Sequence, residues 1–422
     1  MRCRILLTIV ALTATLTGVA PASAAAGTEE AGEESSETQE QQPPGGTDAT
    51  SPLPIRGKEL EAIRELILER VGLSLHGGVL GYYQGTNGVD IDHREFDNPD
   101  GAGFAADLEL GFSPIPGGEV LLRIHAGEGD GADRFLEPAG ALLADLNTIN
   151  DDNPGDDGLK LLEAFYTQAL FEGRLLFSVG KTEPLLFLDE NAFANDEYAQ
   201  FVGKPFVNNP VLDSEDEYAP LMALRVRFIE EVTCTLVGQS STRPLLEGDQ
   251  QKSAYEKIFN KPFVGGQIEA ASGLGGLEGH YRLYAWFQTY RHPRLAGSGS
   301  EEGWGVGFSL DQQILERVGL FARLGCQNDE VYEVPWFWSA GTSVQGLFAG
   351  RPEDVLGMGI AGLKANEDLQ DDGTELHLEA YWRFAWGEHF ALSPDIQYVL
   401  APLGDGDNDG VVAGMIRGEA YF

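Results

Sequence analysis

Val411-Val412-Ala413-Gly414-Met415-Ile416-Arg417-Gly418-Glu419-Ala420-Tyr421-Phe422 is the stretch on which the fold turns. With a period of two, Val412, Gly414, Ile416, Gly418, Ala420 and Phe422 fall on one face, and Arg417 and Glu419 on the other. As the last strand of an open sheet it would leave a row of unpaired backbone groups at an edge, which folded proteins normally blunt. Paired with the first strand of a closed barrel, it has no edge to protect. An ordinary amphipathic strand of a soluble sheet is the alternative, and the rest of the chain decides between the two.

The same alternation recurs over residues 72–422. In Glu375–Trp386, the apolar set Leu376, Leu378, Ala380, Trp382, Phe384 and Trp386 opposes His377, Glu379, Tyr381 and Arg383. In Gly279–Tyr290, the set Tyr281, Leu283, Ala285 and Phe287 opposes His280, Arg282, Tyr284, Trp286 and Gln288. Leu224, Val226 and Phe228 oppose Arg225 and Arg227. About sixteen such segments can be delimited, an even number of the kind that single-chain outer-membrane barrels use. Their connections are sorted by parity. Every second one is short, as at Glu172-Gly173, Glu230-Glu231 and Gly387-Glu388, while those between include the long, acidic Glu128–Gly158 and Thr182–Pro220. Short periplasmic turns and long outer loops are the asymmetry of an outer-membrane barrel. The fold expected is therefore all-β: a transmembrane antiparallel β-barrel, apolar towards lipid and polar towards a wet lumen. In water, so many half-apolar strands would need a second layer to cover them.

Upstream of the barrel, Arg2 and Arg4 precede an apolar run from Ile5 to Val19, and Ala22-Ser23-Ala24 supplies small residues for cleavage. Residues 1–24 thus read as a secretory signal peptide. Residues 25–57 read as a disordered acidic linker; its part Ala25–Pro54 has seven acidic residues and no basic or aromatic ones. Residues 58–71 read as a short periplasmic helix, with Leu60, Ile63, Leu66, Ile67 and Val71 at helical spacing. Past Ala24 no apolar run reaches the about 20 residues of a membrane helix. Cys234 and Cys326 are too few for a disulfide framework and are expected to be unpaired. A net charge of -39, with 67 acidic against 28 basic residues, argues against nucleic acid as a partner. It fits solvated acidic loops; whether those loops hold divalent cations stays open.

The connection Thr182–Pro220 is too apolar for a free surface loop, since Leu185, Leu186, Phe187, Leu188, Phe193, Tyr198, Phe201, Phe206 and Val207 need somewhere to pack. It is expected to fold into the lumen as a constriction built on Asp189, Glu190, Asn191, Asn195, Asp196 and Glu197. The alternative is a lid packed on the rim or on a neighbouring subunit. Facing it, the inward positions Arg123, His125, Arg225, Arg227, Arg282, Trp286, Arg323, Arg383, Arg417 and Glu419 are the candidate pore lining. Arginines opposite acids would set a transverse field across a narrow pore. The guanidinium fork suits adjacent sugar hydroxyls, and an aromatic face suits the C–H side of the ring.

Other patterns point nowhere. Gly357-Met358-Gly359-Ile360-Ala361-Gly362 matches a dinucleotide fingerprint but lacks its strand-turn-helix context. Asp405, Asp407 and Asp409 resemble the opening of a calcium loop, yet position twelve is Ile416 rather than Glu. The seven histidines lack metal-ligand spacing, and no cofactor, metal centre or catalytic triad is expected.

Phe193-Ala194-Asn195-Asp196-Glu197-Tyr198-Ala199-Gln200-Phe201 with Phe206-Val207-Asn208-Asn209-Pro210 resembles the signature loop of the carbohydrate-selective porins, the OprB family. So do Gly319-Leu320-Phe321-Ala322-Arg323-Leu324-Gly325, Gly350-Arg351-Pro352-Glu353-Asp354, and Ser393-Pro394-Asp395-Ile396-Gln397-Tyr398. The matches run in the family's order from about Gly103 to Phe422. The resemblance implies a sixteen-stranded outer-membrane barrel that passes small carbohydrates by diffusion, with a loop narrowing the channel. Outer-membrane lipid and lipopolysaccharide would surround it; a homo-oligomer stays open. The very acidic run Asp151–Asp157 departs from the family pattern and leaves the substrate in question. A general or ion-preferring pore is the alternative within this architecture; an outer-membrane hydrolase and a secreted β-rich binding protein are the alternatives outside it.

Overall fold

The computed structural model describes residues 72–136, 139–149, 158–212, 214, 218–241, 254–255, 258–369 and 373–421. The signal peptide, linker and helix expected over residues 1–71, and the acidic run 151–157, lie outside these. The strands are β1 Leu73–Thr86, β2 Val89–Ile91, β3 Arg94–Phe96, β4 Asp100–Phe112, β5 Gly118–Glu128, β6 Lys160–Leu170, β7 Leu175–Thr182, β8 Ala219–Ile229 and β9 Val232–Gln239. They continue as β10 Phe263–Leu274, β11 Leu277–Pro293, β12 Ser300–Leu315, β13 Val318–Gln327, β14 Trp336–Gln345, β15 Val355–Lys364, β16 Thr374–Trp386, β17 Phe390–Leu400 and β18 Val411–Tyr421. Single-turn helices are α1 Asp133–Leu136 and α2 Lys204–Val207.

Sixteen of these strands, all but β2 and β3, form one closed antiparallel barrel. The terminal stretch does close it, pairing with β1 from Thr86↔Ala413 to Gly78↔Tyr421. Each expected segment corresponds to one barrel strand. Two local features differ from expectation. Between β1 and β4 the chain adds the hairpin β2–β3, turning on Asp92 and His93 with φ of 51° and 60°. Two adjacent left-handed residues make a turn whose twist matches the strands, but three-residue strands carry too little alternation to be legible. The turn after β10 is tighter than Ser272–Glu278: only Gly275-Gly276 separates the strands, with φ of 65° and 84°.

The outer face is apolar as expected, with Val79, Phe104, Leu236, Ile268, Ile396 and Ile416 all exposed from the barrel wall. At the short-turn end of β16 an aromatic ladder stands on that face. Phe348, Trp382, Phe384 and Trp386 follow one another with centroids 5.1, 5.2 and 6.4 Å apart, and Arg351 lies 5.1 Å over Trp386. Such rings sit where lipid meets water.

The inner face departs from the expected polar wall. Phe321, Phe337, Leu363, Val399, Val411 and Ala413 point inward and are fully buried. They do not meet water because loops fold into the barrel and cover them. One cluster joins Val399, Val411 and Ala413 to Val89, Ile91, Leu136 and Leu146; another joins Phe321, Phe337 and Leu363 to Phe201, Phe206 and Val211. Cys234 is a free thiol, as expected.

Candidate functional site: a loop clasped inside the barrel

Residues 183–218 join β7 to β8 and form the third connection on the long-loop side. Two polar clasps and one apolar cluster hold this loop against the wall.

The first clasp is centred on Asp189, a fully buried residue with φ of 63°. Its Oδ2 stands 2.9 Å from Arg323 Nε on β13, and both side chains are fully buried. Tyr284 on β11 donates to Oδ1 at 2.8 Å, and the backbone N–H of Asn209 donates to Oδ2 at 2.9 Å. Arg323 spends its remaining donors on the loop, at 2.6 Å to Phe206 O, 3.2 Å to Asp189 O and 3.0 Å to Asn195 Oδ1. Arg323 Nε makes no aligned hydrogen bond of its own, so these further bonds from the guanidinium ends and to the carboxylate are what a buried ion pair needs to hold together. In the second clasp the wall receives the loop backbone. Glu379 on β16 accepts from Val202 N at 2.6 Å and Gly203 N at 2.9 Å. Arg417 on β18 donates to Glu197 O at 2.5 Å and Gln200 O at 2.6 Å.

Between the clasps Phe201 is enclosed by Phe206, Phe321 and Tyr381, with ring centroids 5.1, 5.3 and 5.0 Å away. Wall glycines make the room. A Cβ on Gly359 would stand 2.6 Å from the Phe206 ring, and one on Gly325 would stand 2.2 Å from Val211 Cγ2. The false nucleotide fingerprint around Gly359 is therefore part of a socket for the loop.

The loop tip reaches on from β18 to β4, the next strand but one around the barrel. Tyr198 OH donates to Asp107 Oδ2 on β4 at 2.6 Å, while Asp107 Oδ1 accepts from Arg123 Nε at 3.0 Å and lies 3.0 Å from His125 Nδ1. Burial, with the Asp107 carboxylate beside it, pushes the Tyr198 phenol well above its ordinary value, so it remains a donor. Next to this bridge is a cavity of about 1320 Å³. Its lining runs from His76 and Glu388 at the short-turn end, past Asn195–Tyr198 and Arg123, to Tyr332 and Glu333 on the long-loop side.

The candidate residues divide by position. Arg123, Asn195, Asp196 and Glu197 line the cavity. Arg323 and Arg417 lie fully buried beneath the loop. Trp286 donates to Val211 O at 2.8 Å and stacks on Phe263. Arg282 is enclosed between Glu269 and Asp311, at 2.7 and 2.5 Å. Arg225 pairs with Glu190 at 3.2 Å, and Arg383 with Glu419 at 2.9 Å, which also accepts from Tyr421 OH. Arg227 is exposed near the short-turn end of β8. Asn191 donates to Ser309 Oγ and Leu310 O. Asp107, Glu109, Lys160 and the cavity aromatics Tyr218, Phe263 and Tyr332 escaped sequence reasoning. Asp107 and Glu109 were within reach, since both alternate with Ala106, Leu108 and Leu110. Of the calcium-like run, Asp405 and Asp409 accept backbone N–H groups of Asp407 and Asp90. Among the described residues no group of three or more His, Cys, Asp or Glu is placed to hold a metal ion.

Residues 100–422, β4 to the terminal strand, match the carbohydrate-selective porin, OprB family. The chain belongs to that family. It is similar to Porin B of Pseudomonas aeruginosa, 23% identical over 280 residues, which cover 55% of this chain and 60% of that one. This porin thus spans about 60% of that relative's length. Among solved structures it is similar to OprB of Pseudomonas putida at high pH, with TM-score 0.74 and 16% identity over 86% of this chain and 97% of that one. It is also similar to the outer-membrane channel DcaP of Acinetobacter baumannii, with TM-score 0.52 and 12% identity over 83% and 97% of the two chains. These likenesses agree with the closed barrel. This porin is an outer-membrane channel.

The tip bridge gives the porin a testable hinge. Tyr198→Phe removes one hydrogen bond to a charged group, about 1.5–3 kcal/mol, and leaves the clasps intact. Open-channel current noise is expected to increase while the barrel's heat-modifiable gel transition stays where it was. Unchanged noise would mean that the bridge does not hold the tip.

Proposed function

We propose that this porin lets small carbohydrates diffuse passively across the outer membrane, through the lumen that the β7–β8 loop narrows. The observation that carries the reading is the cavity beside the loop tip. It offers amide, carboxylate and guanidinium groups at Asn195, Asp107 and Arg123 for hydroxyls, next to aromatic faces at Tyr198, Tyr218 and Tyr332 for the C–H side of a sugar ring. Membership of the porin family supports it. In this reading residues 1–24 direct export, residues 25–71 lie in the periplasm, and the apolar belt meets lipid and lipopolysaccharide, with a homo-oligomer as the assembly.

Liposome swelling with purified protein tests the reading, comparing mono- and disaccharides with zwitterions of matched size. Faster entry of sugars, saturating and competed by one of them, is expected. Entry ordered by size alone would replace the reading with a general diffusion pore.

A further inference from the structure

The sequence pattern sets the loop's acids opposite arginines of the wall, but the folded chain distributes these charges unequally. Arg323 and Arg417 are withdrawn from the lumen, fully buried with their donors on loop carbonyls and Asp189. What remains along the cavity is of one dominant sign: eight carboxylates against four Lys or Arg side chains. Two of those four are engaged with acids, Arg123 with Asp107 at 3.0 Å and Lys204 with Asp145 at 3.4 Å. A third, Lys181, donates to Leu161 O, and Lys160 has no ion pair among the described residues. By contrast Glu388, Glu109, Asp196 and Glu333 make no ion pair among the described residues. They occupy successive levels. Glu388 is in the β16–β17 turn, Glu109 near the inner end of β4, Asp196 at the loop tip, and Glu333 in the β13–β14 connection. Asp196 accepts at Oδ1 from the backbone N–H groups of Tyr198 and Ala199, which fixes the carboxylate at the tip; Arg383, the guanidinium within its field, is already paired with Glu419.

A passage lined by one sign of charge, within low-dielectric walls, concentrates counter-ions and repels like charges. We propose that this porin selects by charge as well as by size: it admits neutral and amino sugars and small cations, and rejects sugar acids and sugar phosphates. The sugar part of this statement rests on the function proposed above; the charge part rests on the ladder of unpaired carboxylates alone.

Planar bilayers and liposomes test the two parts separately. Under a KCl gradient at roughly 0.1 M, the reversal potential of the purified porin should report K⁺ favoured over Cl⁻ by on the order of tenfold. The preference should shrink several-fold near 1 M salt, where screening falls to about 3 Å. In swelling assays glucosamine should enter several-fold faster than glucuronate or glucose 6-phosphate. The variant Asp196→Asn, whose amide oxygen still caps the tip, combined with Glu109→Gln, should lower the K⁺/Cl⁻ ratio several-fold. Heat-modifiable migration verifies that the variant barrel is folded, and Glu333→Gln serves as a second variant. A ratio near one or below in the unaltered protein, or one that both variants leave unmoved, would overturn the proposal. A cation-preferring pore that excludes glucose would leave the charge selectivity standing and overturn the sugar reading instead.

Discussion

Arg323→Ala is expected to free the β7–β8 loop from the wall and widen the pore while the barrel survives. The substitution removes the partner of a buried carboxylate and three hydrogen bonds to the loop. Leaving Asp189 charged and unpaired in a buried site costs about 3–5 kcal/mol. The barrel wall itself loses nothing, because backbone pairing of β13 with β12 and β14 does not involve the side chain. Single-channel conductance and the size limit in liposome swelling should therefore rise, with little change in the heat-modifiable transition. Removing both charges, as Asp189→Asn with Arg323→Met, should recover part of the wild-type conductance, since no unpaired ion remains. Conductance and size limit that stay at wild-type values in Arg323→Ala would show that the loop is held by other contacts.

Phe201→Ala attacks the same loop through packing. The ring is fully buried among Phe206, Phe321 and Tyr381, and truncating a phenylalanine so enclosed costs about 3–5 kcal/mol, because the cavity left behind collapses only in part. Tyr381 also lies 5.8 Å beneath the Arg417 guanidinium, so the apolar cluster and the second clasp share a side chain. The expected results are faster proteolysis of the loop and a larger conductance, as for Arg323→Ala. The double variant should fall short of the sum, because both changes release one element and coupled sites are not additive. Full additivity would mean that the clasp and the cluster restrain different parts of the loop.

Much of the architecture is written in the local pattern of the chain. Period-two alternation places each side chain on the lipid or the lumen face, and the parity of short and long connections distinguishes a barrel from a sandwich. Even the entry of the loop into the lumen was readable, because Phe193, Phe201 and Phe206 are too apolar to stay in water. The hairpin β2–β3 was not legible, since its stability comes from a two-residue turn and its position at the mouth rather than from any pattern in Val89–Phe96.

Local alternation thus sets the direction of each wall side chain. What that side chain meets was decided only by the tertiary structure. Arg123, Arg323 and Arg417 all point inward, yet one faces the cavity and two are buried under loop carbonyls. Arg323 reaches its Asp189 carbonyl partner across 134 residues, and Arg417 its Glu197 partner across 220. Alternation is a local property of the backbone and carries no information over such separations. The loop's course is set by where Phe206 and Val211 find space beside Gly359 and Gly325, and by which carbonyls that placement brings to each guanidinium. Burial follows from that path, and with it the balance of charge left facing the pore.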